Sequence, residues 1–229
     1  MKSGALALVT ILGLASCAAP SHRAVEEPVI RPSEVTDFAL LYRQNCSGCH
    51  GVDGRGGLSV AVGDPVYLAI ADDASIRRIT AEGVPGTAMP AFAQKAGGML
   101  TDAQVAIIVH GMRAHWATPG AFDKDKPPAW ASSQPGDAAR GHDVFTTACS
   151  SCHGPAGGAR QLVDNPYLAL VSDQHLRTVT IIGMPQLGMP NWRNHGKPLS
   201  DSDVTDVVAW LSEQRALLSS QLHPSGGSQ

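Results

Sequence analysis

Large rings are scarce in this chain: 4 Trp, 3 Tyr and 4 Phe, 5% of 229 residues. A protein with so few needs another source of interior bulk, and a buried cofactor supplies one. Neither sign of charge dominates, with 17 Lys and Arg against 20 Asp and Glu, so there is no electrostatic footprint for nucleic acid. No apolar run reaches the roughly 20 residues of a membrane span. The run over residues 4–14 follows Met1-Lys2 and closes on Leu14-Ala15-Ser16-Cys17, which reads as a cleaved signal over 1–16 rather than an anchor helix. Cysteine is also rare, at 5 residues, while Gly (24) and Pro (16) are plentiful. That balance favours compact domains rich in loops.

Four of the five cysteines fall into two copies of one pattern. "NCSGCHG" holds Cys46, Cys49 and His50, and "ACSSCHG" holds Cys149, Cys152 and His153. Downstream the copies run in parallel. "YLAIADDASIRRITAEGVPGTAMP" from Tyr67 lies over "YLALVSDQHLRTVTIIGMPQLGMP" from Tyr167, an offset of 100 that matches Asp73 with Asp173, Arg77 with Arg177, Thr80 with Thr180, Gly83 with Gly183 and Met89-Pro90 with Met189-Pro190. The offset is 103 at the cysteines and 99 at the last helix, so the second copy has a loop three residues shorter just after its cysteine motif. A whole domain is duplicated, not a short solenoid unit. Each copy predicts an apolar-periodic helix running into the cysteines, a Gly-rich loop, a middle helix stopped by Gly83 or Gly183, a Gly/Pro loop carrying Met89 or Met189, and a last helix. Thr101 with Gln104, and Ser200 with Asp203, stand in capping-box positions for the two last helices. Val105, Ile108, Val109 and Met112 form one apolar face, and Val204, Val207, Val208 and Leu211 its counterpart.

Two cysteines separated by two residues fit a zinc half-site, a redox dithiol or a covalent haem anchor. Zinc wants four convergent ligands, but each pair here sits in its own complete copy with its own His and Met. A redox dithiol wants a βαβ setting, and these segments read as helices and loops. Haem uses every repeated residue. Two thiols add to the vinyl groups of the porphyrin, the adjacent His reaches the iron, and Met closes the opposite face.

With those residues in place the chain resembles a dihaem c-type cytochrome built of two class I cytochrome c domains, over roughly 34–116 and 138–216. The resemblance implies an all-α fold with a few helices around each of two haems c. It implies thioether links at Cys46, Cys49, Cys149 and Cys152, and iron ligation by His50 with Met89 and by His153 with Met189. Met112 lies on the apolar helix face, and Met99 meets Pro198 in the other copy; Met184 is the serious rival of Met189, but it aligns with Val84 whereas Met189 aligns with Met89. Recurrent Arg77 and Arg177 are candidates for bonding a haem propionate, and Tyr67 and Tyr167 for packing on the haem. Trp210 is the expected aromatic contact to the first helix of its domain, with Gly111 in its place in copy one. His195, six residues past Met189, is the remaining histidine of interest.

"LASC" resembles the lipobox of bacterial lipoproteins, which would make Cys17 lipidated and N-terminal. The expected layout is a signal peptide (1–16), a tether (17–33), domain 1 (34–116), a Pro-rich semi-rigid linker (117–137), domain 2 (138–216) and a flexible tail (217–229). The reading is an electron carrier, not an enzyme, lipid-anchored on the periplasmic side of a bacterial membrane, with redox proteins as donor and acceptor. The rivals are a haem-bearing subunit of a quinol-oxidising, terminal oxidase or reaction-centre complex, and a dihaem peroxidase-like enzyme. A dehydrogenase with a cysteine axial ligand has no spare cysteine in either domain.

Overall fold

The regular structure follows from the caps. Asp37 accepts a hydrogen bond from the Leu40 N–H at 2.7 Å and opens α1, Phe38–Asn45. Asp137 does the same for α6, Ala138–Ala148, accepting from Ala139 and Arg140. Each helix stops at the first cysteine of its motif, and a single helical turn carries the rest: α2, Ser47–His50, and α7, Ser150–His153. Asp64 caps α3, Pro65–Ile70, with proline at its start. Its counterpart is a 3-10 segment, Pro166–Leu170, capped by Asn165. The middle helices are α4, Asp73–Glu82, and α8, Asp173–Ile182, capped by Asp72 and Ser172. The last helices are α5, Asp102–Trp116, and α9, Asp201–Leu222.

The computed structural model describes residues 30–222. The predicted leader, Cys17 and most of the tether lie outside them. Among the described residues all regular structure is helical, apart from two isolated bridges, Ala93 to Leu100 and Met184 to Met189. This is the expected all-α arrangement in two tandem copies. Both predicted capping boxes form: Thr101 and Gln104 exchange bonds at 3.0 and 3.1 Å, and so do Ser200 and Asp203. Gln104, 2% exposed, also holds the chain entering domain 1 by donating to the carbonyls of Pro32 and Val35. All eight predicted face residues of the last helices are buried.

Two expectations need correcting. The tail from 217 was expected to be flexible, but α9 continues to Leu222 and buries Leu218 among Phe145, Leu168 and Leu211. The linker was expected to be a spacer, but it is bonded along its length to domain 2. Asp201 accepts from the Ala129 N–H, Gln174 donates to the Trp130 carbonyl, Thr205 donates to Ser132, and Asp206 accepts from the Asp137 N–H. Phe122 meets Trp192, and the Arg193 guanidinium lies over both rings.

The two copies also share part of their interior. One apolar cluster runs from Leu41, Tyr42 and Ile108 of the first copy into Ile181, Ile182, Trp192 and Leu199 of the second, and a second cluster around Phe145, Leu168 and Val207 lies within the second copy. From Pro32 onward the chain is one unit, with α3 packed on α8. The cause is visible in α8. Every residue from Leu176 to Ile182 is buried, whereas in α4 only Ile76, Thr80 and Ala81 are.

Candidate functional site

In each copy the cysteines and histidine share one tight turn. The N–H groups of Cys49 and His50 both point to the Cys46 carbonyl, at 3.2 and 3.0 Å, and those of Cys152 and His153 to the Cys149 carbonyl, at 3.1 and 2.9 Å. None of these four cysteines is in a disulfide, and Cys49 and Cys152 are exposed. Burial pushes the Cys46 thiol up to about 12 and Cys149 to about 11, and the neighbouring cysteine adds to each. A catalytic dithiol needs a depressed, thiolate-rich sulfur, so the electrostatics run against that reading. Among the described residues no three His, Cys, Asp or Glu converge to hold a metal ion by themselves, which leaves the zinc reading without a site.

The histidine geometry is the most informative feature. His50 Nδ1 lies 2.7 Å from the Val60 carbonyl oxygen, and His153 Nδ1 lies 2.8 Å from that of Arg160. A carbonyl can only accept, so Nδ1 carries a proton in both rings, and in the neutral ring the lone pair is on Nε2. That is the tautomer a haem iron requires of an imidazole, with the other nitrogen fixed by a backbone acceptor. The acceptor is ten residues past His50 and seven past His153, so the shorter second loop closes on the same contact. Burial lowers the His50 pKa, partly offset by the Val60 bond, which keeps that ring neutral. The donor set fits a c-type haem.

Met89 and Met189 sit opposite in the chain plan, on loops hooked to the end of the middle helix. Gly83 and Gly183 end α4 and α8 at φ 70° and 72°. A Cβ on either would fall 2.7 Å from the Met89 or Met189 carbonyl oxygen and against the following proline, so only glycine lets the Met-Pro backbone close on the helix end. The next residue donates its N–H to that same carbonyl: Val84 to Met89, and Met184 to Met189, both at 3.0 Å. In the second loop Met189 also returns a bond to Met184, at 3.1 Å. Phe92 and Trp192 then tie the strand leaving each methionine back to its middle helix, through bonds to Thr80 and Ile181.

The secondary candidates divide. Arg77 is exposed on α4. Arg177 is 4% exposed and fully engaged elsewhere: it donates to the Ala129 carbonyl and Thr205 and pairs with Asp201. Its expected propionate role is therefore corrected to that of a strut between the linker and α9. Tyr67 is buried against Trp130 of the linker, ring centroids 5.7 Å apart, so it lies at the junction of the copies. Tyr167 meets His175 Nε2 through its hydroxyl at 2.9 Å, under the Arg160 guanidinium. Trp210 meets Phe145 and His142 of α6, as expected.

Sequence reading missed a recurrent arginine. Arg113 of α5 bonds Asp73 and the carbonyls of Leu68 and Ala71, and Arg215 of α9 bonds Asp173 and the Leu168 carbonyl. These fix the corner between the third segment and the middle helix. The recurring aspartates were the available signal. The arginines are 102 apart where the last helices align at 99, nearly one helical turn out of register.

The sequence pattern of one protein family, described as cytochrome c oxidase, cbb3-type, subunit III, matches residues 33–110 and again 136–211. The cytochrome bc1 complex cytochrome c subunits of Mycobacterium bovis and Mycobacterium tuberculosis are each 24% identical over 218 residues, covering 92% of this chain and 75% of theirs. That of Corynebacterium diphtheriae is 24% identical over 188 residues, covering 76% and 64%. Among solved structures, a chain of the Kuenenia stuttgartiensis reducing HAO-like protein complex superposes with a TM-score of 0.45 at 19% identity, covering 77% of this chain and 94% of the other.

Proposed function

We propose, from the premise that the chain belongs to the cbb3-type cytochrome c oxidase subunit III family, that it is an electron-transfer protein with two covalent haems c. Cys46 and Cys49, and Cys149 and Cys152, would carry the thioether links. His50 and His153 would give Nε2 to the irons, and Met89 and Met189 would hold the sixth positions. The haem, when bound, supplies one reversible electron at a potential raised by Met/His ligation relative to bis-His. The protein's part is to hold each imidazole in the ligating tautomer, present the methionine from a glycine-hinged loop, and shield the site with the helices. Filled sixth positions leave no place for peroxide, so the chain would make and break no substrate bonds. The observation carrying this reading is the Nδ1-to-carbonyl bond that frees Nε2 in both copies.

The named relatives favour permanent residence in a membrane respiratory complex over free diffusion between partners. No helix among the described residues is long and apolar enough to cross a membrane. We propose that attachment runs through a lipid on Cys17, the last residue of the lipobox-like Leu14-Ala15-Ser16-Cys17, on the periplasmic side. The first test is the optical spectrum and haem-to-protein ratio of the matured protein. Two haems per chain with the far-red methionine–iron band at full strength are expected. One haem, or a missing band, would refute the assignment. Isolation from gently solubilised native membranes should bring down a quinol-oxidising or oxidase complex; recovery of the chain alone would leave the freely diffusing carrier.

A further inference from the structure

We infer that His195 is a standby iron ligand of the second haem site, able to take the iron when Met189 releases it. The inference rests on the reading that Cys149, Cys152, His153 and Met189 hold a haem.

Three side-chain polar atoms are buried without a hydrogen-bond partner among the described residues: Arg193 Nε, His195 Nε2 and Asp206 Oδ2. Two belong to ion-paired groups. Arg193 Nε faces the Asp125 carboxylate, and Asp206 Oδ2 lies 2.7 Å from Arg140. His195 Nε2 has no such partner, and a buried polar atom left so needs an explanation.

The other ring nitrogen supplies one. His195 Nδ1 lies 3.3 Å from the Ala148 carbonyl oxygen, which can only accept, so Nδ1 carries a proton, and in the neutral ring the lone pair is on Nε2. This is the tautomer of His50 and His153. The bond also places the ring. Ala148 is the last residue of α6 and precedes Cys149, so its Cα is one step of about 3.8 Å from that of the first haem-bearing residue. The loop holding His195 is the one that presents Met189, six positions earlier. An imidazole in the ligating tautomer is thus tethered between the helix that enters the haem motif and the methionine loop. Gly196, at φ 84°, follows it as a natural pivot.

Nε2 is enclosed by protein here, so His195 stands in reserve and Met189 keeps the resting position. Exchange at ferric iron would break the Met189 sulfur–iron bond and form one from His195 Nε2. No electron moves, and from the neutral Nδ1–H ring no proton has to leave Nε2. Imidazole suits ferric iron and thioether favours ferrous, so the exchange would lower the potential of the second haem. The first copy has no histidine in the corresponding loop: Gln94, Lys95 and Ala96 stand between Ala93 and Gly97.

The test uses full-length protein carrying both haems. In M189A the far-red methionine–iron band should lose the half that Met189 supplies, while ferric electron paramagnetic resonance shows both irons still low-spin. In M189A/H195A one iron should turn high-spin. A high-spin iron in M189A alone, or a low-spin one in the double variant, overturns the inference while leaving the haem assignment standing. An undiminished band in M189A overturns the Met189 assignment itself, and the inference with it. If M189A does not accumulate, the same contrast is read in mild guanidinium, where methionine–iron bonds open first. The second haem should then stay low-spin in the wild type and turn high-spin in H195A; equal behaviour of the two overturns the inference.

Discussion

The two copies solve the same packing problem with the pieces exchanged. Where the last helix crosses the first, copy one places Phe38 on α1 against Gly111 on α5. Copy two places Gly141 on α6 against Trp210 on α9. Phe38 and Gly141 occupy one position of the repeat (offset 103), and Gly111 and Trp210 another (offset 99). A Cβ on Gly111 would fall 2.1 Å from the Phe38 ring, and one on Gly141 would fall 2.0 Å from the Asp206 carbonyl oxygen and 2.9 Å from Trp210 Cβ. The crossing requires one absent side chain and one large ring. Which helix supplies the ring is free, because close packing fixes the summed volume and not its owner.

The strongest way to break this comparison is to give copy one both rings. Gly111→Trp, with Phe38 in place, should destabilise the first domain by about 3 kcal/mol or more and lower its haem content. Phe38→Gly added to it should recover most of the loss, read as a negative coupling in a double-mutant cycle of unfolding free energies. If the double variant is no better than the single, the exchange is not a true equivalence.

The twin arginines give the next contrast. Arg177→Ala removes the buried guanidinium that joins the Ala129 carbonyl, Thr205 and Asp201, and should cost about 2 kcal/mol in denaturant unfolding. Arg77→Ala, on an exposed helix face, should stay within about 0.5 kcal/mol. Equal losses would mean that Arg77 has a role its exposure does not suggest. Trp130→Ala should cost about 2 kcal/mol through lost packing on Tyr67. It should also split one calorimetric transition into two, which a single sharp transition would contradict.

The smallest effect concerns pH. The cap of α5 uses neutral Gln104, whereas that of α9 uses Asp203. Burial pushes the Asp203 pKa up, but the Ser200 hydroxyl and N–H bonds, with Lys197 and Arg140 nearby, outweigh it and hold the carboxyl below its ordinary value. A depressed acid contributes stability above its unfolded pKa and loses it as pH falls through the folded one. The first turn of α9 should therefore loosen below about pH 4, seen as faster amide exchange, while that of α5 does not respond. Asp203→Asn should abolish the difference; an unchanged pH response would exclude this cap as its source.

Much of the fold and site was legible because its signals are local or repeated. The cysteine motifs, both capping boxes, the stop at Gly83 and Gly183 and the apolar faces of the last helices all depend on residues within a few turns. What escaped depends on partners far along the chain. Arg177 looked like a haem contact because it recurs, yet its partners are unique to the second copy. The pair Arg113 and Arg215 went unnoticed because a one-turn slip hides equal roles. The signal for a shared core was present in Thr178 to Ile182, apolar or β-branched throughout where copy one has Arg78 and Glu82. Periodicity alone cannot say that a helix is covered on two sides.

That second covered face of α8 has a bearing on ancestry. A freshly duplicated gene has two interchangeable halves, each free to drift while the other keeps the job. Once Ile181, Ile182 and Trp192 became interior to the neighbouring copy, that freedom ended. The second half cannot be cut out and live alone without wetting its new interior, and the first cannot be swapped in for it. Selection since then has acted on a single inherited object, in which a change at Tyr67 must be tolerated by a tryptophan of the linker.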